Sequence, residues 1–286
     1  MIASGICVLV LALCASHVQG FAASARTVRG LRSLQANADL ASLQQTLYST
    51  VSEKFGLKVT DFAEYQGVNT WSSGDWNGQT EWSDETSGAK LTGVSRYSIL
   101  NERTDMASFS LDGWMGPSLA NPHMLLSFGC DPSSYEGLSL TMDYLARGPT
   151  PIGSDNTYIE LYYGADQVAT YDKITSLPTA KHLPPLPSLG ARLLRSPLQL
   201  SVCGLSLQEV TQFATAHVEG WARASFEAEQ VQARQRGAIN SRDDKLRQYF
   251  FQGSVAQYRV VGGELVRKLG AGSTGPLSEA YVGGGS

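Results

Sequence analysis

Several segments between residues 91 and 202 alternate apolar and polar side chains with the two-residue period of β-strands, which restricts the chain to folds built on a sheet. The strand-like segments are, in chain order, 91–111 with a turn at 101–105, then 121–128, 138–145 and 198–202. In 138–145, Leu138, Leu140 and Met142 share one face. These strands predict a central antiparallel sheet of about six strands, a common sheet size. The segment 61–88 is predicted to form irregular loops or a twisted hairpin.

Segments with helical periodicity lie before and after the strands. Leu40 to Phe55 carries apolar residues at three- and four-residue spacing, and Gly56 follows where a C-cap glycine is expected. Ser206-Leu-Gln-Glu209 is a capping box that predicts a second helix. A last helix is predicted from Leu246. Helices before and after a run of strands predict a single α+β domain over 39–270, with a disordered Gly-rich tail at 271–286.

The N-terminus has the composition of a targeting leader. Residues 1–20 are apolar and uncharged, as in a signal peptide, and 21–38 contain arginines and hydroxyl residues but no acid. This order resembles the bipartite leader of proteins imported into secondary plastids. We therefore expect a plastid protein of an alga with such a plastid, with ordinary secretion as the alternative.

Composition and missing motifs exclude several functions. A net charge of −4 gives no basic footprint for nucleic acid. The chain has no P-loop, no Gly-x-Gly-x-x-Gly turn after a predicted strand and no Gly-x-Ser-x-Gly elbow. Its histidines and the two cysteines beyond the leader lack ligand spacing, so no metal site is predicted. No bound flavin or nicotinamide is expected either.

Four short motifs in a fixed order resemble one enzyme family. They are the strand end Asp143-x-x-x-Arg147, the Tyr-x-x-x-Tyr-Tyr-Gly segment 158–164, the Ser-Leu-x-x-Arg segment 188–192 and the Ser-Pro pair 196–197. This order is similar to that of red chlorophyll catabolite reductase, in the ferredoxin-dependent bilin reductase superfamily. The resemblance implies an α/β/α sandwich that binds a linear tetrapyrrole between its sheet and C-terminal helices. Electrons would come from reduced ferredoxin, without a bound cofactor.

The resemblance also places candidate site residues. Asp243 matches one of the two substrate-contacting carboxylates of the family and would be the proton donor, although it could instead cap the last helix. Ser127 stands where the family has a glutamate. His123 shares the face of Ser127 by parity and could supply a proton or simply pack. Arg195 could pair with a substrate carboxylate or point to solvent. Arg192 and Arg147 match family positions, and each could touch the substrate, orient the sheet edge or pair with Asp143.

The expected reaction is reduction of red chlorophyll catabolite to the primary fluorescent catabolite. Because Ser127 replaces an acid, a second interpretation is a non-catalytic pigment-binding relative, with thylakoid or photosystem proteins as partners. A third is a bilin reductase that makes a phycobilin.

Overall fold

The structure is a computed structural model that describes residues 26–59, 70–73, 75–87, 90–101, 103–116, 118–131, 136–145, 147, 165–183, 196 and 199–227. Its elements are α1 (Arg26–Phe55), β1 (Leu57–Val59), β2 (Thr70–Ser73), β3 (Trp76–Glu85), β4 (Leu91–Asn101), β5 (Met106–Met115), β6 (His123–Cys130), β7 (Leu138–Leu145), α2 (Ala165–Thr175), β8 (Lys181–His182), β9 (Leu200–Leu205) and α3 (Leu207–Glu227). Four predicted features lie outside the described residues: the leader at 1–20, the motif segment 158–164, the helix from Leu246 and the tail.

A 9-stranded antiparallel sheet forms the centre of the described fold. Its strands follow the order β1-β3-β4-β5-β6-β7-β9-β8, and β2 pairs with β3. The α+β class and the antiparallel sheet are thus confirmed. The expected number of about six strands is too low. Strands β1, β2 and β8 have only 3, 4 and 2 residues, too few to show a period in the sequence.

One face of the sheet packs against all three described helices. The apolar positions of β5, β6 and β7 on this face join side chains from α1, α2 and α3 in one core. Phe109 and Phe128 stack across β5 and β6 with their ring centroids 5.9 Å apart. No described helix lies on the opposite face. The helix predicted from Leu246 lies outside the described part of the chain.

Helix α1 begins at Arg26 and so is longer than the helix predicted from Leu40. Its C-terminus agrees with the prediction, since Gly56 adopts a φ of 64° and its N–H donates to Ser52 O. The buried Gln44 side chain donates through Nε2 to the carbonyl oxygens of Tyr97 and Ser110, which fixes α1 against β4 and β5. None of the described helices has the length and apolar character of a membrane span.

Helix α3 starts at the predicted capping box. Ser206 N donates to Glu209 Oε2 at 2.7 Å, and Glu209 N donates to Ser206 Oγ at 3.3 Å. Further along, Trp221 donates through Nε1 to Pro122 O at 2.9 Å. Its ring occupies the space where a side chain at Gly113 would lie, so the glycine allows α3 to approach β5 closely.

His217 is a titratable group buried between α3 and the sheet. Its ring stacks on Tyr144 at 4.3 Å between centroids, and Tyr144 Oη donates to His217 O at 2.6 Å. His217 Nε2 lies 3.2 Å from Leu125 O and must donate, because a carbonyl oxygen only accepts. Burial lowers the pKa of His217 to about 3, against the opposing effect of its hydrogen bonds to the backbone. The folded protein therefore holds this histidine neutral.

We predict that His217 makes the protein less stable in acid. Between the ordinary pKa of 6.5 and the folded value of about 3, the unfolded chain binds a proton that the folded chain does not. The free energy of unfolding should therefore decrease as the pH is lowered through this window, by up to about 1.4 kcal/mol per pH unit for this group. Urea denaturation at a series of pH values measures the slope.

His217→Gln should reduce that slope, because glutamine does not titrate. His182→Gln is the matched control, since His182 is exposed on β8 and should leave the slope unchanged. A slope identical in wild type and His217→Gln would contradict the prediction.

Candidate functional site

The face of the sheet turned away from α1, α2 and α3 is polar and largely buried, and we call it the second face. It carries Ser95, Tyr97 and Ile99 of β4, Ser108, Ser110, Asp112 and Trp114 of β5, His123, Leu125 and Ser127 of β6, Ser139, Thr141, Asp143 and Leu145 of β7, and Ser201 of β9. The buried apolar side chains here are separate from the core under the helices. A buried surface this rich in hydroxyl and carboxyl groups is unusual for packing alone.

Five hydroxyl side chains form one row across the second face, which we call the hydroxyl row. The strand register pairs Tyr97 with Ser110, Ser110 with Ser127, Ser127 with Thr141, and Thr141 with Ser201. Directly paired residues of antiparallel strands point to the same side of a sheet. Ser127, predicted to line the pocket, thus lies in the middle of this row and is partly exposed.

Two buried carboxylates lie in the row of residues next to the hydroxyl row. Asp112 and Asp143 pair with Leu125 from its two sides, and their residues are 3% and 1% exposed. Asp112 Oδ1 accepts from Leu126 N at 3.3 Å, and Asp143 Oδ1 accepts from Ser196 N at 3.2 Å. Each carboxylate therefore lies two residues from the hydroxyl row on its own strand, Asp112 from Ser110 and Asp143 from Thr141.

The sequence interpretation did not identify Asp112 as a site residue. The sequence does contain a signal for a polar face here, because Ser110, Asp112 and Trp114 alternate with Phe109 and Leu111 along β5. An acid inside a strand between apolar residues that are themselves buried indicates a polar second face. Asp143 was identified only as the acid at a strand end.

His123 begins β6 on the same face as Ser127, as parity predicted. Its residue is 2% exposed, and its ring lies 5.0 Å from that of Trp114. Nδ1 accepts a hydrogen bond from Met115 N at 2.9 Å. Protonation of Nδ1 would break this bond, so the geometry favours neutral His123 with its proton on Nε2. His123 is therefore better suited to donate a hydrogen bond than to act as an acid.

Arg147 is buried against the connection between β5 and β6. Its Nη1 donates to Gly116 O at 2.9 Å and to Leu119 O at 2.8 Å. These bonds hold the connection between β5 and β6, which leads directly to His123. The sequence left open whether Arg147 touches substrate, and these bonds give it a positioning role.

The other predicted site residues, Asp243, Arg192 and Arg195, lie outside the described residues. Their roles stay predictions. In the described part of the chain, no three His, Cys, Asp or Glu side chains are grouped as metal ligands would be.

We predict that Arg147→Met lowers the free energy of unfolding by about 3 kcal/mol, because it leaves the buried Gly116 and Leu119 carbonyls without their charged donor. Arg103→Met, at an exposed turn residue, is the control and should change stability by less than about 0.5 kcal/mol. Chemical denaturation of both variants measures the difference. Equal stabilities would show that the Arg147 bonds do not hold the β5–β6 connection.

Several solved structures have a fold similar to that of this chain. One of them is phytochromobilin synthase from tomato in complex with biliverdin, with a TM-score of 0.64 and 12% sequence identity. The match covers 86% of this chain and 85% of the tomato protein. No protein-family model matches the sequence, and no curated protein matches it.

At 12% identity the similarity establishes the fold. The chain has the fold of a bilin reductase, which is the fold that the motif resemblance implies. The similarity does not distinguish the red chlorophyll catabolite reductase family from the other families of this fold.

Proposed function

We propose that the protein reduces an open-chain tetrapyrrole with electrons from reduced ferredoxin. The observation that carries this proposal is the second face, where a row of hydroxyls and two buried carboxylates lie together on the sheet of a bilin reductase fold. The tomato neighbour has biliverdin, an open-chain tetrapyrrole, as its named ligand.

The chemistry of this reaction explains why such a face would be useful. Each electron from ferredoxin leaves the tetrapyrrole as a radical or an anion that must take up a proton at one position before it reacts elsewhere. An acid must therefore be held next to the ligand and away from bulk water. Among the described residues, Asp112 would be this acid, because it is buried two residues from Ser110 on the same face. Asp243 is the donor that the sequence resemblance implies. Ser127, His123, Arg192 and Arg195 would contact the ligand.

Red chlorophyll catabolite is the first candidate substrate because of the order of the four sequence motifs. Its reduction at one methine bridge would give the primary fluorescent catabolite. Biliverdin is the second candidate, in which case the product would be a phycobilin. A non-catalytic pigment-binding protein, in contact with thylakoid or photosystem proteins, is the third, and Ser127 in place of the family's glutamate favours it.

The proposed cellular location is a plastid, because the composition of residues 1–38 resembles a bipartite plastid leader. Ferredoxin is acidic, so its docking surface would need clustered Lys and Arg side chains. Arg192 and Arg195 are candidates for it. The reaction requires no resident cofactor, because ferredoxin supplies the electrons one at a time.

We predict turnover in an anaerobic assay with the mature chain, reduced ferredoxin and either red chlorophyll catabolite or biliverdin. Absorbance follows loss of the substrate, and fluorescence and mass spectrometry identify the product. A fluorescent product two hydrogens heavier than red chlorophyll catabolite would support the first candidate, and a reduced biliverdin would support the second. Tight binding of either tetrapyrrole without turnover would favour the non-catalytic protein, and absence of binding would refute the proposed function.

We further predict that Asp112→Asn lowers turnover by about 100-fold or more while the substrate still binds, since asparagine can keep the bond from Leu126 N but cannot give up a proton. Asp172→Asn, at an exposed position of α2, is the control and should turn over like wild type. Asp243→Asn tests the other donor in the same assay. Full activity of Asp112→Asn together with loss of activity in Asp243→Asn would assign the proton to Asp243 alone.

A further inference from the structure

Two buried hydroxyl groups lack a hydrogen-bond partner among the described residues, Ser110 Oγ and Ser225 Oγ. A buried hydroxyl without a partner destabilises a folded protein, because it has given up its hydrogen bonds to water. Such groups are rare, and each needs a physical reason. The two serines differ in their surroundings, and this difference indicates a ligand at only one of them.

Ser225 lies near the end of α3, on the helix side of the sheet and away from the hydroxyl row, and is 0% exposed. Ser110 lies in the middle of the second face and is 2% exposed. Its neighbours in the hydroxyl row, Ser127 and Thr141, are partly exposed. The unpaired hydroxyl of Ser110 is therefore next to a surface that a ligand can reach.

The far end of the hydroxyl row is already hydrogen-bonded. Gln199 Nε2 donates to Ser201 Oγ at 2.7 Å, and Ser201 Oγ lies 3.0 Å from Thr141 Oγ1. Since Ser201 accepts a bond from Gln199, its own proton is available to Thr141, and the proton of Thr141 is then available to a further acceptor. This end of the row is held in place, whereas Ser110 Oγ has no acceptor among the described residues.

The row also has a regular spacing. Neighbouring strands lie about 4.8 Å apart, so Ser110, Ser127 and Thr141 present hydroxyls at about that interval along a line. On one side of the hydroxyl row lie Asp112, Leu125 and Asp143, and on the other side lie Ile99, Ser108 and Ser139. The short hydroxyl side chains of the row leave room for a flat molecule whose edge carries several polar atoms.

We propose that Ser110 Oγ donates a hydrogen bond to a carbonyl oxygen of the ligand, and that Ser110, Ser127 and Thr141 together recognise the ligand's polar edge. This inference rests on the proposed function, and the oxygen concerned is a terminal lactam carbonyl of an open-chain tetrapyrrole. Serine neither gains nor loses a proton near neutral pH, so Ser110 is a binding residue that sets specificity, distinct from the proton donor.

The proposal predicts opposite effects of one substitution on stability and on binding. Ser110→Ala removes an unpaired hydroxyl, so the free energy of unfolding without ligand should stay the same or rise. The same change removes the bond to the ligand, so binding should weaken about three- to tenfold. A serine that only packs would not separate the two effects in this way.

Ser225→Ala is the matched control, because it removes the other unpaired hydroxyl. It should also leave stability unchanged or higher, but it should not alter ligand binding. The full chain of each variant is titrated with biliverdin by absorbance, and unfolding in urea is measured without ligand. Neither measurement needs ferredoxin or turnover.

Weaker binding by Ser110→Ala alone, with stability retained, would support the proposal. Equal affinities of wild type and Ser110→Ala would overturn it and leave the proposed function intact. A clear loss of stability in Ser110→Ala would also overturn it, because the hydroxyl would then have a partner within the protein. Failure of wild type to bind biliverdin and red chlorophyll catabolite would refute the proposed function itself.

Discussion

The antiparallel pairing of β4, β5, β6 and β7 is the constraint on which the rest of the structure depends. Because successive side chains of a strand point to opposite faces, the register assigns every residue to the core or to the second face. A slip of one residue would move Asp112 and Ser110 into the core and Leu111 out of it. The apolar contacts with α1 and α3 hold the register, and thereby hold the polar face in place.

Much of this arrangement could be predicted from local patterns. The strands at Leu138–Leu145 and Leu91–Asn101, the Ser206–Glu209 capping box and the Gly56 helix end each have a signal within a few residues of sequence. The α+β class follows from the order of those elements. The short strands β1 and β8 could not be predicted, because their pairing depends on partners distant in sequence and not on a period of their own.

The candidate site was harder to predict than the fold. The hydroxyl row exists only when five strands are aligned, and no single segment shows it. Asp112 lies between apolar neighbours in the sequence. Its suitability as a proton donor depends on its burial on the second face, which the sequence alone does not define. The family resemblance directed attention to Ser127 and His123, which do lie on that face, and to Asp243, whose role stays a prediction. Sequence motifs therefore indicated the fold, whereas the strand register assembled the site.

The most direct test of the account is a crystal structure of the full chain with an open-chain tetrapyrrole bound. The account predicts that the tetrapyrrole lies against the second face, with a carbonyl oxygen within hydrogen-bond distance of Ser110 Oγ and with Asp112 beside the ring system. A tetrapyrrole bound among α1, α2 and α3, or on the surface away from the hydroxyl row, would contradict the assignment of the second face as the functional site.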